Sequence, residues 1–144
     1  MKLKNRRRNL SGRSGCGICG IESLEQIQQQ LNPVAATFKI SHAAINDATR
    51  SILNHQPLQA LTGAVHGAAW CDQLGNIVLV CEDVGRHNAL DKLVGTLWPQ
   101  DKFELPGFLL MSSRASFEIL NKAAKAGVAV VVAMSAPTSL AIDI

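Results

Sequence analysis

The run "VAVVVAMS", residues 128 to 135, is apolar at almost every position and stops at Ala136-Pro137. A strand with one wet face alternates apolar and polar residues. A strand without that alternation is expected to be buried on both faces, as in a parallel sheet covered by helices. The flanks agree. "SFEILNKAAKAG" (116 to 127) has helical spacing and ends at Gly127, a residue suited to the left-handed turn that closes helices. "PTSLAIDI" opens a last helix, with Pro137 expected at its first position.

The same alternation runs through the preceding residues. "AVHGAAWC" (64 to 71) and "NIVLVCEDV" (76 to 84) are expected strands joined by a turn at Asp72 to Gly75. "RHNALDKLVGTL" (86 to 97) is helical, with Leu90, Leu93, Val94 and Leu97 on one side, and "GFLLMS" (107 to 112) is a short apolar strand. Earlier, "SHAAINDATRSILN" sets Ile45, Ala48, Ile52 and Leu53 on one helical face, and Gln56-Pro57 ends it. A capping box at Ser23 and Gln26 starts a short helix over about 24 to 31, stopped by Asn32-Pro33. Strand and helix in alternation mean an α/β architecture with helices packed on a sheet.

At 144 residues, 47% hydrophobic and 17% charged, the chain fills a core and is one domain by length. Residues 1–22 form a basic arm and a Gly-rich C-x-x-C loop, and residues 23–144 a single α/β domain. The net charge of +3 is positional. Lys2, Lys4, Arg6, Arg7, Arg8 and Arg13 precede every acid, whereas eight bases face eleven acids from residue 14 onward. A solvated arm is the ordinary meaning of such a run. The functional alternative is a set of charges that lowers a thiol pKa or meets an anionic partner. Nucleic acid is not expected as a partner, because the six aromatic residues, none a Tyr, do not interleave with the bases. No apolar run reaches a membrane span, and "KLKNRRRNL" lacks the apolar stretch that secretion needs. Four cysteines in that setting point to a reducing cytoplasm.

Two groups of residues carry chemistry. The first is "SGCGICG", with Cys16 and Cys19 among glycines. That spacing alone fits a zinc half-site, a dithiol redox pair or a sulfur carrier. A closed zinc site wants a second close pair, but Cys71 and Cys81 stand ten apart in apolar strands, where free cysteines behave as small hydrophobes. No metal ligand is therefore assigned. The second group is the three strand-to-helix junctions. They bring Gly85, Arg86, His87 and Asn88, then Ser112, Ser113 and Arg114, then Ser135, Thr138 and Ser139 to the carboxyl ends of strands, where α/β sheets bind ligands. Ser and Asn at any one junction are ordinary helix caps. Three junctions at one edge, two with an Arg, suit an anion such as phosphate. His66 lies mid-strand with Gly63 and Gly67 on either side, which suggests close backbone approach or room for a ligand, while His42 and His55 have no supporting context.

"GRSGCGICG", "TGAVHGAAW", "EDVGRHNALDKLVG", "SSRASFEILNKAAKAG" and "SAPTSLA", in that order, resemble the FdhD family of formate dehydrogenase accessory sulfurtransferases. The resemblance implies a cytidine-deaminase-like αβα three-layer sandwich with a mixed sheet. It implies a cytoplasmic homodimer that takes persulfide sulfur from a cysteine desulfurase. The sulfur passes to a molybdenum or tungsten bis(molybdopterin guanine dinucleotide) cofactor destined for formate dehydrogenase. Cys16 matches the persulfide-carrying cysteine and Cys19 its partner, and the junction residues become the cofactor-binding set. Family members extend on both sides, so the resemblance implies an internal fragment or a shortened member, truncated at its C-terminus. Deaminase chemistry is not implied, since neither H-x-E nor P-C-x-x-C occurs. Two other functions fit the same residues: a zinc- or redox-switched regulatory domain using the C-x-x-C pair, and a guanine-nucleotide module without sulfur chemistry.

Overall fold

The computed structural model describes residues 33–100 and 106–143. The expected helix over 24 to 31, the basic arm, Cys16 and Cys19 lie outside them.

Ser41 opens the first helix, α1 (His42–Ser51), by accepting the Ala44 N–H at 3.1 Å. A 3-10 turn (Ile52–His55) and a six-residue helix α2 (Pro57–Thr62) follow. Then come β1 (His66–Asp72), β2 (Ile77–Asp83), α3 (Arg86–Leu97), β3 (Gly107–Arg114), α4 (Phe117–Lys125), β4 (Val131–Ser135) and the one-turn α5 (Ser139–Ile142). The strands form a mixed sheet in the order β2-β1-β3-β4. β1 is antiparallel to β2 and to β3, and β3 is parallel to β4.

The sheet has a core on each face, which makes the architecture three layers. Successive residues of a strand point to opposite faces. On β1, Ala68 and Trp70 pack with Leu90, Leu93 and Leu97 of α3 and with Ile119 and Ala123 of α4. Ala69 and Cys71 pack instead with Ala48 and Ile52, together with Phe108 and Leu110 of β3. Burial of each such Leu, Ile or Phe contributes about 1.5–3 kcal/mol.

The β1–β2 turn positions α1. The Asp72 carboxylate accepts the N–H groups of Leu74 and Asn76 at 2.9 and 2.8 Å, and Gly75 takes the left-handed φ of 91°. A Cβ on Gly75 would lie 2.3 Å from the Ala44 carbonyl oxygen, so only glycine lets α1 rest on this turn.

Four sequence expectations need correction. Pro57 does not simply end a helix; it begins α2, the position where its missing N–H costs nothing. Leu53 sits in the 3-10 turn and is exposed, because the change of helix type rotates it off the α1 face. The last helix starts at Ser139, with Thr138 at its N-cap and Pro137 outside. β4 begins at Val131 rather than Val128 and is an edge strand, hydrogen-bonded to β3 alone among the described strands. Its run is apolar because Val131 touches one core and Val130 and Val132 the other. At the edge that contact buries them only in part. No described helix is long and apolar enough to cross a membrane.

Candidate functional site

Strand direction assembles the site. β2, β3 and β4 all run opposite to β1, so Asp83, Arg114 and Ser135 end at one edge of the sheet, beside His66 at the start of β1. All three junctions therefore meet that edge. The second and third are tied directly, since Arg114 pairs with Ser135 and the Thr138 N–H donates to the Ala115 carbonyl at 3.0 Å.

The first junction holds the start of α3. Gly85 is its N-cap and has no side chain to cap with. His87 lies on the stripe that continues through Leu90, Leu93 and Leu97, so it is 7% exposed. Neither of its ring nitrogens has a partner among the described residues. Burial, and then Arg86 beside it, push its pKa down and keep the ring neutral. Arg86 Nε is likewise buried without a partner. Ser116 occupies the N-cap of α4, yet its buried hydroxyl bonds no backbone N–H. Buried polar groups are normally hydrogen-bonded, and each one left open costs about 1–3 kcal/mol. Three such residues stand at the starts of α3 and α4, where backbone N–H groups and the positive dipole end favour an anion.

The hydroxyls divide. Ser113 is buried and donates to the Arg114 carbonyl, while Arg114 itself is exposed. Ser112 faces the α1 side and accepts the Gly67 N–H at 2.8 Å, so it is already engaged. Ser135 and Ser139 are exposed and Thr138 half-buried. α5 is a single turn, so the third junction offers hydroxyls more than a helix dipole. Asn88 donates to Asp83 at 3.1 Å.

The two glycines near His66 serve different ends. Gly63 takes a φ of 62° and closes α2, with open space around it. Gly67 is the close approach: a Cβ there would lie 2.5 Å from Gln56 Nε2. The Gln56 amide is buried and neither of its polar atoms has a partner among the described residues.

Cys71 and Cys81 are free, as expected of strand cysteines. Burial, with Asp72 adding to it, pushes the Cys71 thiol up to about 12, and burial raises Cys81 as well. Cys71 is therefore expected to resist iodoacetamide at neutral pH until the chain is denatured. Labelling at the rate of a free thiol without denaturant would contradict its core position.

The model of the FdhD/NarQ family matches residues 1–144. The chain belongs to the FdhD/NarQ family. Its relatives include the sulfur carrier protein FdhD of Bordetella bronchiseptica, 48% identical over 142 residues, which is 99% of this chain and 51% of that protein. The namesake from Acinetobacter baylyi is 50% identical over 145 residues, covering 100% of this chain and 53% of that protein. This FdhD/NarQ chain thus spans about half the length of the curated relatives it matches. In structure it is similar to a crystal structure described as a formate dehydrogenase accessory protein from Desulfotalea psychrophila. The TM-score is 0.72 at 26% identity, covering 84% of this chain and 51% of that one.

One residue of this FdhD/NarQ edge escapes sequence reasoning. Asp83, the last residue of β2, accepts the Gly85 N–H at 2.9 Å and pairs with Lys92 at 2.5 Å. Lys92, the Gly85 N–H and Asn88 hold its carboxyl down at about 2. An acid ending a strand is unremarkable in a sequence, and its register opposite His66 is a property of the fold.

Proposed function

We propose that this chain is the sulfur-transferring part of a formate dehydrogenase accessory protein. It accepts persulfide sulfur from a cysteine desulfurase and hands it to a molybdenum or tungsten bis(molybdopterin guanine dinucleotide), the substrate, before that group enters formate dehydrogenase. The protein acts in the cytoplasm as a homodimer. Membership of the FdhD/NarQ family and relatives that are named sulfur carriers support this reading. The carrying structural observation is the set of buried, unpartnered polar groups of Arg86, His87 and Ser116 beside two helix starts. It fits the diphosphates of such a dinucleotide.

The sulfur chemistry belongs to Cys16 and Cys19. The Cys16 thiolate attacks the outer sulfur of the donor's persulfide. The donor S–S bond breaks, the donor leaves as thiolate, and Cys16 carries the persulfide. The sulfur then leaves by one of two routes. In one, the Cys19 thiolate attacks Cys16 Sγ and expels the outer sulfur as sulfide, and a cellular dithiol later reduces the resulting disulfide. In the other, Cys19 takes up the outer sulfur and relays it.

The cofactor half is tested by calorimetry with guanosine diphosphate. Arg114→Ala and Arg86→Ala are each expected to weaken binding by ~1.5–3 kcal/mol, the value of a charged hydrogen bond to phosphate. Arg50→Ala, on the exposed side of α1, leaves binding unchanged. Binding also weakens as salt rises. Equal affinities for all three variants would remove the junctions from the cofactor site.

A further inference from the structure

We propose that Asp83 is a built-in occupant of the anion site, and that an entering diphosphate displaces it and takes over Lys92. This rests on the diphosphate reading above.

The two Asp83 oxygens have separate partners. Oδ1 accepts the Gly85 N–H and the Asn88 Nδ2 at 2.9 and 3.1 Å. Oδ2 faces Lys92 Nζ, which also donates to the Glu82 carbonyl at 3.1 Å. A backbone N–H at a helix start, an amide and an ammonium are the groups a phosphate uses. Carboxylate and phosphate have the same sign and the same acceptor chemistry, so they compete for these donors.

The neighbours mark where the competitor sits. Arg86 Nε, both nitrogens of His87 and Ser116 Oγ are buried and lack partners among the described residues, and Asp83 reaches none of them. The donors at the end of β2 and the starts of α3 and α4 thus fall into two sets, one engaged by Asp83 and one open. A diphosphate has two anionic centres, one for each set. The Lys92 side chain is 55% exposed and can change partner, while the Asp83 carboxylate, 21% exposed, gives up its bonds to the Gly85 N–H, Asn88 and Lys92. Lys92 keeps its place at the edge through the Glu82 carbonyl while it changes partner. With Lys92 and the Gly85 N–H holding its charge, Asp83 is not neutralised near neutral pH, so relief comes only by displacement.

A carboxylate serving only as a favourable charge at the start of α3 predicts the opposite sign, since its loss would loosen the site. The test titrates the whole chain with guanosine diphosphate and with inorganic pyrophosphate, and records a thermal melt for each variant. Asp83→Asn keeps an oxygen for the Gly85 N–H, and the expected result is about a tenfold gain in affinity for both probes, from one removed like charge at close range. Lys92→Gln is expected to lose about as much, although Lys92 lies nearly two turns into the helix. If the wild-type chain binds and Asp83→Asn binds equally or more weakly, Asp83 is only a helix-end charge and the proposal is overturned. Should Asp83→Asn fail to fold, unchanged affinity in Lys92→Gln overturns it instead. Binding by Asp83→Asn where the wild type shows none supports it. If neither protein binds either probe, the diphosphate reading falls and the displacement falls with it.

Discussion

Cys16→Ala is expected to abolish sulfur loading: after incubation with a cysteine desulfurase and cysteine, the wild-type chain is expected to gain the mass of one sulfur atom and the variant none. Thiolate is the attacking species, and Arg13 with the Arg6 to Arg8 run supplies positive charge close in sequence to Cys16. The other described thiols are poor competitors. Cys71 is fully buried, which pushes its thiol up to about 12, and Cys81 is half-buried, which raises its pKa as well. Neither supplies much thiolate at neutral pH. Peptide mapping of the loaded protein decides the matter, and sulfur on Cys71 or Cys81 would sink the assignment. A nucleotide module without sulfur chemistry would keep its biological activity when Cys16 and Cys19 both become Ala.

The second large effect is on stability. Phe108→Ala is expected to cost ~3–5 kcal/mol, read from urea unfolding of the chain. Phe108 is fully buried on β3, opposite Cys71 and in one cluster with Ala48 and Ile52, so the vacated space lies between sheet and α1. Domains of this size have about 5–15 kcal/mol in total, which leaves the variant near its unfolding limit. Val84→Ala, at a residue 75% exposed, stays within ~0.5 kcal/mol of wild type. A Phe108→Ala loss below ~1 kcal/mol would mean that this face of the sheet is loosely packed.

What the sequence made legible was local pattern. β1, β2 and α3 follow from alternation and helical spacing, and Gly127 ends α4 with its φ of 78°. The shared edge of the three junctions was legible too, because parallel connections force strand ends to one side. Long-range partners were not. α2 is only six residues long, and the Glu82 carboxylate accepts its Leu58 and Gln59 N–H groups at 2.9 and 2.8 Å. The residue that caps it stands 24 positions away, beyond any capping pattern. The edge position of β4 was hidden because an edge strand touching two cores is as apolar as a central one. Ser112 is expected from the sequence to belong to the junction set, and its oxygen accepts the Gly67 N–H, a partner that β-register fixes. His87 is expected from the sequence as part of the first junction, but its burial and its open nitrogens come from the packing of α3 on the sheet.

The contact between Gly67 and Gln56 couples two positions on different elements, the start of β1 and the N-cap of α2. A side chain at 67 collides with the Gln56 amide, and a shorter residue at 56 leaves a hole above Gly67. The two residues are in contact, so the effects of substituting them are not expected to add.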